Sequence, residues 1–356
     1  MSVPAAKIET WQMKEPGKLE KTTIDVPELQ PGEALVEVAG CGVCHTDVGY
    51  FYDGVPTVSE PPLTLGHEIS GIVVAGDEQF IGKEVIVPAV MPCNKCDICK
   101  AGRNNRCLKQ KMPGNSMGIY GGFSNYIPVP SEDLCVVENR NGMPLEYLSV
   151  VADAITSPYQ AAKRADIQPG DRVVIIGATG GIGVYMTQIA SALGAETVIA
   201  VARSKEKLER SLDFGATHTI STLDQGVKDI KNSYKGYCKE NGLPGHGWKI
   251  FECSGSKIGQ EIGLELLSFT GKLIVVGFGM QKVEYMLSKL MAFDAEIIGT
   301  WGCLPRYYKE VLQMVLDNKL KIEPFVEVRP MSQIAKSFEE SHAGKLKKRV
   351  ILQPDF

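Results

Sequence analysis

The chain has 356 residues, more than one hydrophobic core ordinarily organises, and reads as two domains. Its 38 Lys and Arg against 42 Asp and Glu give a net charge of −4 with no long run of one sign, which speaks against nucleic acid or a membrane as partner and leaves small molecules. No apolar run reaches bilayer length, and charges at Lys7, Glu9, Lys14 and Glu15 break up the start where a secretion signal needs an apolar stretch, so the expected location is the cytoplasm; there, 10 cysteines suggest metal binding or buried thiols before disulfides.

Up to about residue 150 the chain is rich in Gly, Pro and Val. Short strand patterns such as EALVEVAG and KEVIVPAV, separated by turn signals, predict an irregular β-rich domain. Within it, GCGVCHTD sets Cys44 and His45 at a loop or helix start, and LGHEISG sets His67 and Glu68 at a strand start. Cys44 and His67 suit zinc, and Asp153 in VVADAITSPY could complete a three-ligand site with one open position, as catalysis needs. Structural roles stand equally open: Cys44 as a small buried residue, His67 as a satisfied core histidine, Asp153 as a helix cap. Tyr50-Phe51-Tyr52 and Ile119 to Phe123 are aromatic-rich stretches expected to line a roomy apolar pocket.

Between these elements, MPCNKCDICKAGRNNRC holds Cys93, Cys96, Cys99 and Cys107. This is a complete thiolate set for a tetrahedral ion, with Pro, Asn and Gly permitting the loop. A closed set keeps no position for substrate, so a structural zinc is expected.

From about Asp171 strands and helices alternate: RVVIIG, GGIGVYMTQIASALG, TVIAVA, KEKLERSLDFGA, THTIST, an amphipathic stretch to about Gly242, WKIFECSG, IGQEIGLELLSF, KLIVVGFG and AEIIGTWG. That alternation predicts a parallel, doubly wound sheet. The helix PRYYKEVLQMVLDN and a short β-containing tail follow, and the tail could return to the first domain. The segment GATGGIG joins the first of these strands to its helix, where Gly177, Gly180, Gly181 and Gly183 let the backbone approach a pyrophosphate held by free N–H groups at the helix start. Its spacing is one residue longer than the common G-x-G-x-x-G. At the end of the next strand, Ala202 stands where an NAD site usually has Asp or Glu, and Arg203 and Ser204 follow; read locally, this favours NADP.

Taken together, GCGVCHTD, GHEISGIV, the cysteine lobe, ADAITSPY, the glycine turn, FECSGS and KRVIL resemble the zinc-containing alcohol dehydrogenases of the medium-chain dehydrogenase/reductase superfamily along nearly the whole chain. The resemblance implies a GroES-like catalytic domain at 1–155 and 302–356 and a Rossmann dinucleotide-binding domain at 156–301, which close around the substrate. It implies two zinc ions per chain, the catalytic one on Cys44, His67 and Asp153 with Glu68 behind it as an alternative ligand. Thr46 would hydrogen-bond the substrate oxygen, His45 and Arg349 would contact the cofactor pyrophosphate, and Val276, Gly277, Phe278 and Thr300 would lie near the nicotinamide. Within the family the likeness extends to members acting on cyclic hydroxyacyl-CoA thioesters, which implies an acyl-CoA substrate and NAD, with NADP as the alternative, in a homodimer or homotetramer. Two positions depart from the pattern: Asp153 stands where many members have Cys, and Gly49 where a histidine often ends the proton relay, leaving the exit beyond Thr46 open.

Overall fold

The computed structural model describes residues 7–356. The chain divides into two compact units. The first runs to Thr156 and also takes in Gly302–Asn318 and Ile322–Phe356; the second is Ser157–Trp301 with Lys319–Lys321.

The strands of the first unit before the crossing point are β1 (Lys7–Glu15), β2 (Lys18–Asp25), β3 (Glu33–Gly42), β4 (Leu63–Thr64), β5 (Glu68–Gly76), β6 (Glu84–Val87), β7 (Tyr126–Pro130) and β8 (Cys135–Val136). Two short helices accompany them, α1 (His45–Tyr52) and α2 (Asp97–Lys100). β1 pairs with β2 and β4 in a three-stranded sheet. β3, in the middle of the larger sheet, pairs antiparallel with both β5 and β7, which its apolar alternation EALVEVAG supports. A 3-10 helix, Leu145–Ala152, lies against β5 and is pinned where the buried Ser70 hydroxyl donates to Leu145 O at 2.7 Å.

The second unit holds α3 (Thr156–Ala165), β9 (Arg172–Ile176), α4 (Gly183–Ala192), β10 (Thr197–Ala202), α5 (Lys205–Ser211), β11 (His218–Ser221), α6 (Val227–Glu240), β12 (Lys249–Glu252), α7 (Lys257–Leu266), β13 (Lys272–Val275), α8 (Leu287–Phe293) and β14 (Glu296–Gly299), α3 beginning at the boundary residue. Its six strands are all parallel, in the order β11-β10-β9-β12-β13-β14, so the predicted doubly wound sheet is present. β9 and β10 read as nearly unbroken apolar runs because helices cover both faces of such a sheet. The order reverses between β9 and β12, and the crevice at the carboxyl ends of strands at such a reversal is where these sheets bind ligands. Serine caps start two of the helices: Ser204 Oγ accepts from Lys207 N at 3.3 Å and Ser256 Oγ from Gly259 N at 3.1 Å.

The chain then re-enters the first unit through α9 (Tyr308–Leu316), β15 (Val326–Pro330), α10 (Ile334–His342) and β16 (Arg349–Gln353). β16 pairs antiparallel with the end of β3 at Leu352 and Cys41, and β15 adds parallel to β16, completing a seven-stranded sheet. The tail is therefore a structural part of the β-rich unit, which the expected GroES-like plus Rossmann architecture requires.

The aromatic stretches need a correction. Phe51 and Phe123 do not line a pocket: both are buried, and each meets Phe338 of α10 edge to face, with centroids 5.5 and 5.6 Å apart. Such contacts contribute about 0.5–1.5 kcal/mol each beyond area burial. Tyr50 is also buried, its hydroxyl accepting from Asn115 Nδ2 at 2.6 Å. Apolar residues on a short helix facing a sheet go to the core first, and the sequence offered no period by which to separate the two uses. Among the described residues no helix is long and apolar enough to cross a membrane.

Candidate active site

Cys44 is the N-cap of α1, in extended conformation (φ −97°, ψ 151°). The carboxylate of Asp47, three residues on, accepts from Cys44 N at 3.1 Å and so fixes the turn that presents the thiol. The other oxygen of Asp47 accepts from Gly66 N at 3.0 Å and from His67 Nδ1 at 3.2 Å. One fully buried carboxylate thus ties the Cys44 loop to the His67 loop and sets the imidazole tautomer, leaving Nε2 for a ligand. That Nε2 lies 3.5 Å from Asp153 Oδ2, and Cys44 Sγ lies 3.8 Å from the same oxygen.

Asp153 follows the 3-10 helix, and its position is set from behind. Tyr308, buried in α9, donates from its hydroxyl to Ala152 O and accepts from Ala89 N at 3.1 Å, while Thr156 Oγ1 donates to Ala152 O at 3.0 Å. Glu68 opens β5 with its carboxylate turned inward: Oε1 accepts from Arg349 Nη1 at 2.7 Å, and Oε2 is buried with no hydrogen-bond partner among the described residues. A Cβ at Gly42 would come within 2.1 Å of that Oε2, so any larger residue where β3 passes would displace the carboxylate.

The donor atoms of Cys44, His67, Glu68 and Asp153 all lie within 4.8 Å of one another. A sulfur, a nitrogen and carboxylate oxygens so close, one of the oxygens buried and unpartnered, are what a zinc ion satisfies and what an apolar core could not accommodate. The electrostatics agree. Burial lowers the proton affinity of His67, but Asp47 and the hydrogen bonds from Asp153, Asp47 and Cys44 outweigh it and hold the imidazole well above its usual range. Burial pushes Glu68 up to about 7 against the pull of Arg349. The His67 shift marks the acidic neighbours around the ring, and the Glu68 shift marks the dry setting of its carboxylate. Thr46 Oγ1 lies 3.6 Å from Cys44 Sγ, and His45, beside it, is exposed.

The second cluster is local. Sγ–Sγ distances of 3.5 Å (Cys96–Cys99), 3.8 Å (Cys96–Cys107) and 3.4 Å (Cys107–Cys93) gather four thiols, and the N–H groups of Cys93 and Lys109 each point at Cys107 Sγ from 3.3 Å. Asn94 takes a left-handed φ of 53° to turn the loop, its amide oxygen accepting from Asn104 Nδ2 at 2.8 Å. Amide donation from Cys99 leads in pulling Cys96 down to about 6, while burial pushes Cys99 up to about 12, so charge is spread unevenly over the thiols.

In the second unit the glycine turn links β9 to α4. Gly177 has φ +78°, and a Cβ there would meet the Ser254 backbone at 2.8 Å; at Gly183 a Cβ would meet Gly177 O at 2.1 Å. Both glycines are demanded by backbone packing, independently of any ligand. Gly180 N donates to Gly177 O at 2.9 Å, and α4 begins without a side-chain cap, its Val184, Tyr185 and Met186 N–H groups donating to Gly180 O and Ile182 O. Close by, Gly277 N and Val276 N both donate to Glu252 O at 2.9 Å, and Phe278 is largely exposed. Thr300 Oγ1 is buried without a hydrogen-bond partner among the described residues. Ser204 is occupied as a helix cap, and Arg203 is exposed.

Three residues were not singled out in the sequence: Asp47, Tyr308 and Glu252. Asp47 could have been found, since an acidic residue three positions after a helix-starting residue is a capping signal. Glu252 is a buried carboxylate at the end of β12 that accepts from Ser254 N at 2.8 Å and Gly255 N at 3.1 Å, and FECSGS carries no pattern that signals it.

Residues 30–139 match the family model of the alcohol dehydrogenase GroES-like domain, and residues 181–317 match that of the zinc-binding dehydrogenases. The chain is 28% identical to a D-xylulose reductase of Saccharomyces cerevisiae over 94% of both chains, and 28% identical to an alcohol dehydrogenase of Geobacillus stearothermophilus over 99% of both. Among solved structures, a zinc-binding dehydrogenase of Sinorhizobium meliloti bound to NADP shares the fold with a TM-score of 0.85 and 22% identity, over 98% of this chain and 100% of that one. Two family models in the expected order along the chain make it a zinc-dependent alcohol dehydrogenase of the medium-chain dehydrogenase/reductase superfamily.

Proposed function

We propose that the enzyme oxidises a secondary, allylic alcohol by hydride transfer to NAD, and that its substrate is 6-hydroxycyclohex-1-ene-1-carbonyl-CoA, converted to the 6-oxo product in anaerobic aromatic degradation. The observation that carries the alcohol-oxidising part is the Cys44, His67, Glu68 and Asp153 cluster with the Thr46 hydroxyl beside it. A zinc ion held by Cys44, His67 and Asp153 would supply a Lewis acid that lowers the alcohol's pKa, and the dinucleotide a hydride acceptor. Thr46 Oγ accepts the alcohol proton as it gives up its own. Asp47 keeps the His67 ring oriented, and Glu68, neutralised in part by Arg349, stands behind as the alternative ligand. An oxygen ligand at 153 donates less charge than a thiolate and tunes the site toward stronger acidity, without changing the reaction. Cys93, Cys96, Cys99 and Cys107 hold the second, structural zinc.

Gly177, Gly180, Gly181 and Gly183 with the start of α4 bind the pyrophosphate, assisted by His45 and Arg349, and Val276, Gly277, Phe278 and Thr300 fix the nicotinamide. Arg203 packs on the adenine or a ribose hydroxyl. NAD is the preferred cofactor. NADP is the alternative, favoured by the absence of an acidic residue at Ala202 and by the NADP in the Sinorhizobium structure.

The CoA substrate rests on likeness in GYFYDGVPTV, PPLTLGHEISG and KMPGNSMGIYGGFS. These stretches meet in space. Asn115 O and Oδ1 accept from Ser59 N and Val58 N, both at 3.0 Å, its Nδ2 donates to Tyr50, and Thr64 Oγ1 donates to Ile119 O at 2.8 Å. Segments that resemble one enzyme and pack against one another beside α1 support a shared role in substrate selection. A polyol is the second reading, favoured by the D-xylulose reductase relative. Steady-state kinetics on matched CoA thioester, free acid, cyclohexenol and xylitol tests the choice. The thioester should exceed the others in kcat/KM by at least about a hundredfold, since remote binding energy positions the ring; equal efficiency, or a preference for xylitol, overturns the substrate and leaves the dehydrogenase.

We also infer a homo-oligomer formed through β14. It is an edge strand of the parallel sheet, and Leu287, Met291 and Ile297 on it and on α8 are exposed by 73%, 76% and 38%. Light scattering giving a monomer at micromolar concentration counts against it.

A further inference from the structure

We propose that Asp53 and His342 form the solvent end of the proton path that begins at Thr46; this rests on the alcohol-oxidising reading above and completes it. Thr46, Gly49 and Asp53 fall on one face of α1, Asp53 being its C-terminal cap residue. Gly49 contributes no side chain to that face. A Cβ built there would be in ordinary contact with Val55 Cγ2 at 3.4 Å and Asp53 Oδ2 at 3.9 Å, so the Asp53 carboxylate lies beside the glycine, one turn nearer to Thr46 than its own place on the helix. Its other oxygen lies 3.1 Å from His342 Nε2 at the end of α10. The two side chains are 37% and 46% exposed, so they meet bulk water, and the His342 ring stacks on Tyr52 with centroids 4.5 Å apart. Other charge near this pair comes from Glu339 of α10, which acts on Tyr52.

Thr46 to Asp53 is two helical turns, about 10 Å of rise, and with the carboxylate beside Gly49 about one turn is left for hydrogen-bonded water to bridge. Along this route one proton moves and no electrons do. The alcohol O–H gives its proton to Thr46 Oγ, the Thr46 hydroxyl proton passes to water, and a proton reaches Asp53 Oδ2, then His342, then bulk solvent, while the hydride leaves with the dinucleotide. An imidazole at the exit suits the task because it exchanges protons near neutral pH.

The test uses H342Q, D53N and the double variant in the zinc-loaded enzyme at low buffer concentration. One measurement is kcat for alcohol oxidation. The other, independent of turnover, is proton release on mixing with NAD⁺ and trifluoroethanol, a poorly reactive alcohol, followed with a pH indicator in stopped flow. Each single variant should slow both about tenfold, less than removal of a direct acid–base group would. The double variant should be no slower than either single one, added imidazole should restore the rates, and G49H should relieve H342Q. Zinc content and Tm should not move. Wild-type rates in both single variants overturn the proposal, as does a loss that imidazole leaves in place. An unaltered enzyme that oxidises no alcohol refutes the activity instead, and proton release with trifluoroethanol still reads the path.

Discussion

Cys93, Cys96, Cys99 and Cys107 come from one short loop, whereas Cys44, His67 and Asp153 come from a helix start, the residue before a strand and the end of a 3-10 helix, with Cys44 and Asp153 separated by 109 positions. The local cluster contains one donor type and is steadied by backbone amides aimed at sulfur. The dispersed one mixes sulfur, nitrogen and oxygen, and carboxylate and tyrosine hydrogen bonds from other elements hold it in place. A loop that supplies all its own ligands needs the metal to become a structure. A site assembled by the sheet exists because the sheet has already folded, and it can spare a coordination position for chemistry.

Removing one ligand from each cluster should expose this difference most strongly. Asp153→Ala should lower kcat/KM roughly a thousandfold, a loss of several kcal/mol of Lewis-acid stabilisation, with one zinc remaining by elemental analysis and Tm nearly unchanged. Cys96→Ser should also leave one zinc, but Tm should fall on the order of 5 °C or more. Equal Tm losses in the two variants would erase the distinction, and a single zinc in the unaltered enzyme would remove its basis. Thr46→Val keeps shape and both metals while deleting the hydroxyl; turnover should drop about a hundredfold. Nearly normal turnover would put the proton on a water or on His45. Asp47→Asn tests whether the dispersed site is held from behind: zinc affinity there should weaken about 10- to 100-fold, read by competition with a chelator, with no change at the cysteine loop. The smallest effect is expected at Arg203→Ala, a shift of a few-fold, about 1 kcal/mol, in the NADP to NAD ratio of kcat/KM. A collapse of NADP use alone would show that Arg203 reads the 2′-phosphate.

The same contrast explains what could be read from the sequence. The cysteine loop and the glycine turn declare themselves because ligand spacing and a strand–glycine–helix junction are local patterns. The alternating strands and helices after Asp171 were legible for the same reason, since a sheet buried on both faces leaves unbroken apolar runs such as VVII and TVIAVA. Residues as far apart as Cys44 and Asp153 carry no sign that β3, β5 and the 3-10 helix bring them within 3.8 Å; their residue types allowed a shared site, and the family resemblance decided between that and structural roles. Tyr308 was invisible because its partners, Ala152 O and Ala89 N, are main-chain atoms. Phe51 and Phe123 misled because an aromatic residue reads alike whether it faces a ligand or Phe338.

Asp47 has a practical consequence for handling the enzyme. Because a carboxylate, and not the ion, holds the Cys44 and His67 loops together, the receptor keeps its shape while its guest is exchanged. Mild chelation followed by cobalt(II) should place a coloured reporter in the dispersed cluster alone. The chromophore would let binding of each alcohol be watched as a spectral change in a folded, concentrated sample, with no need for the reaction to proceed.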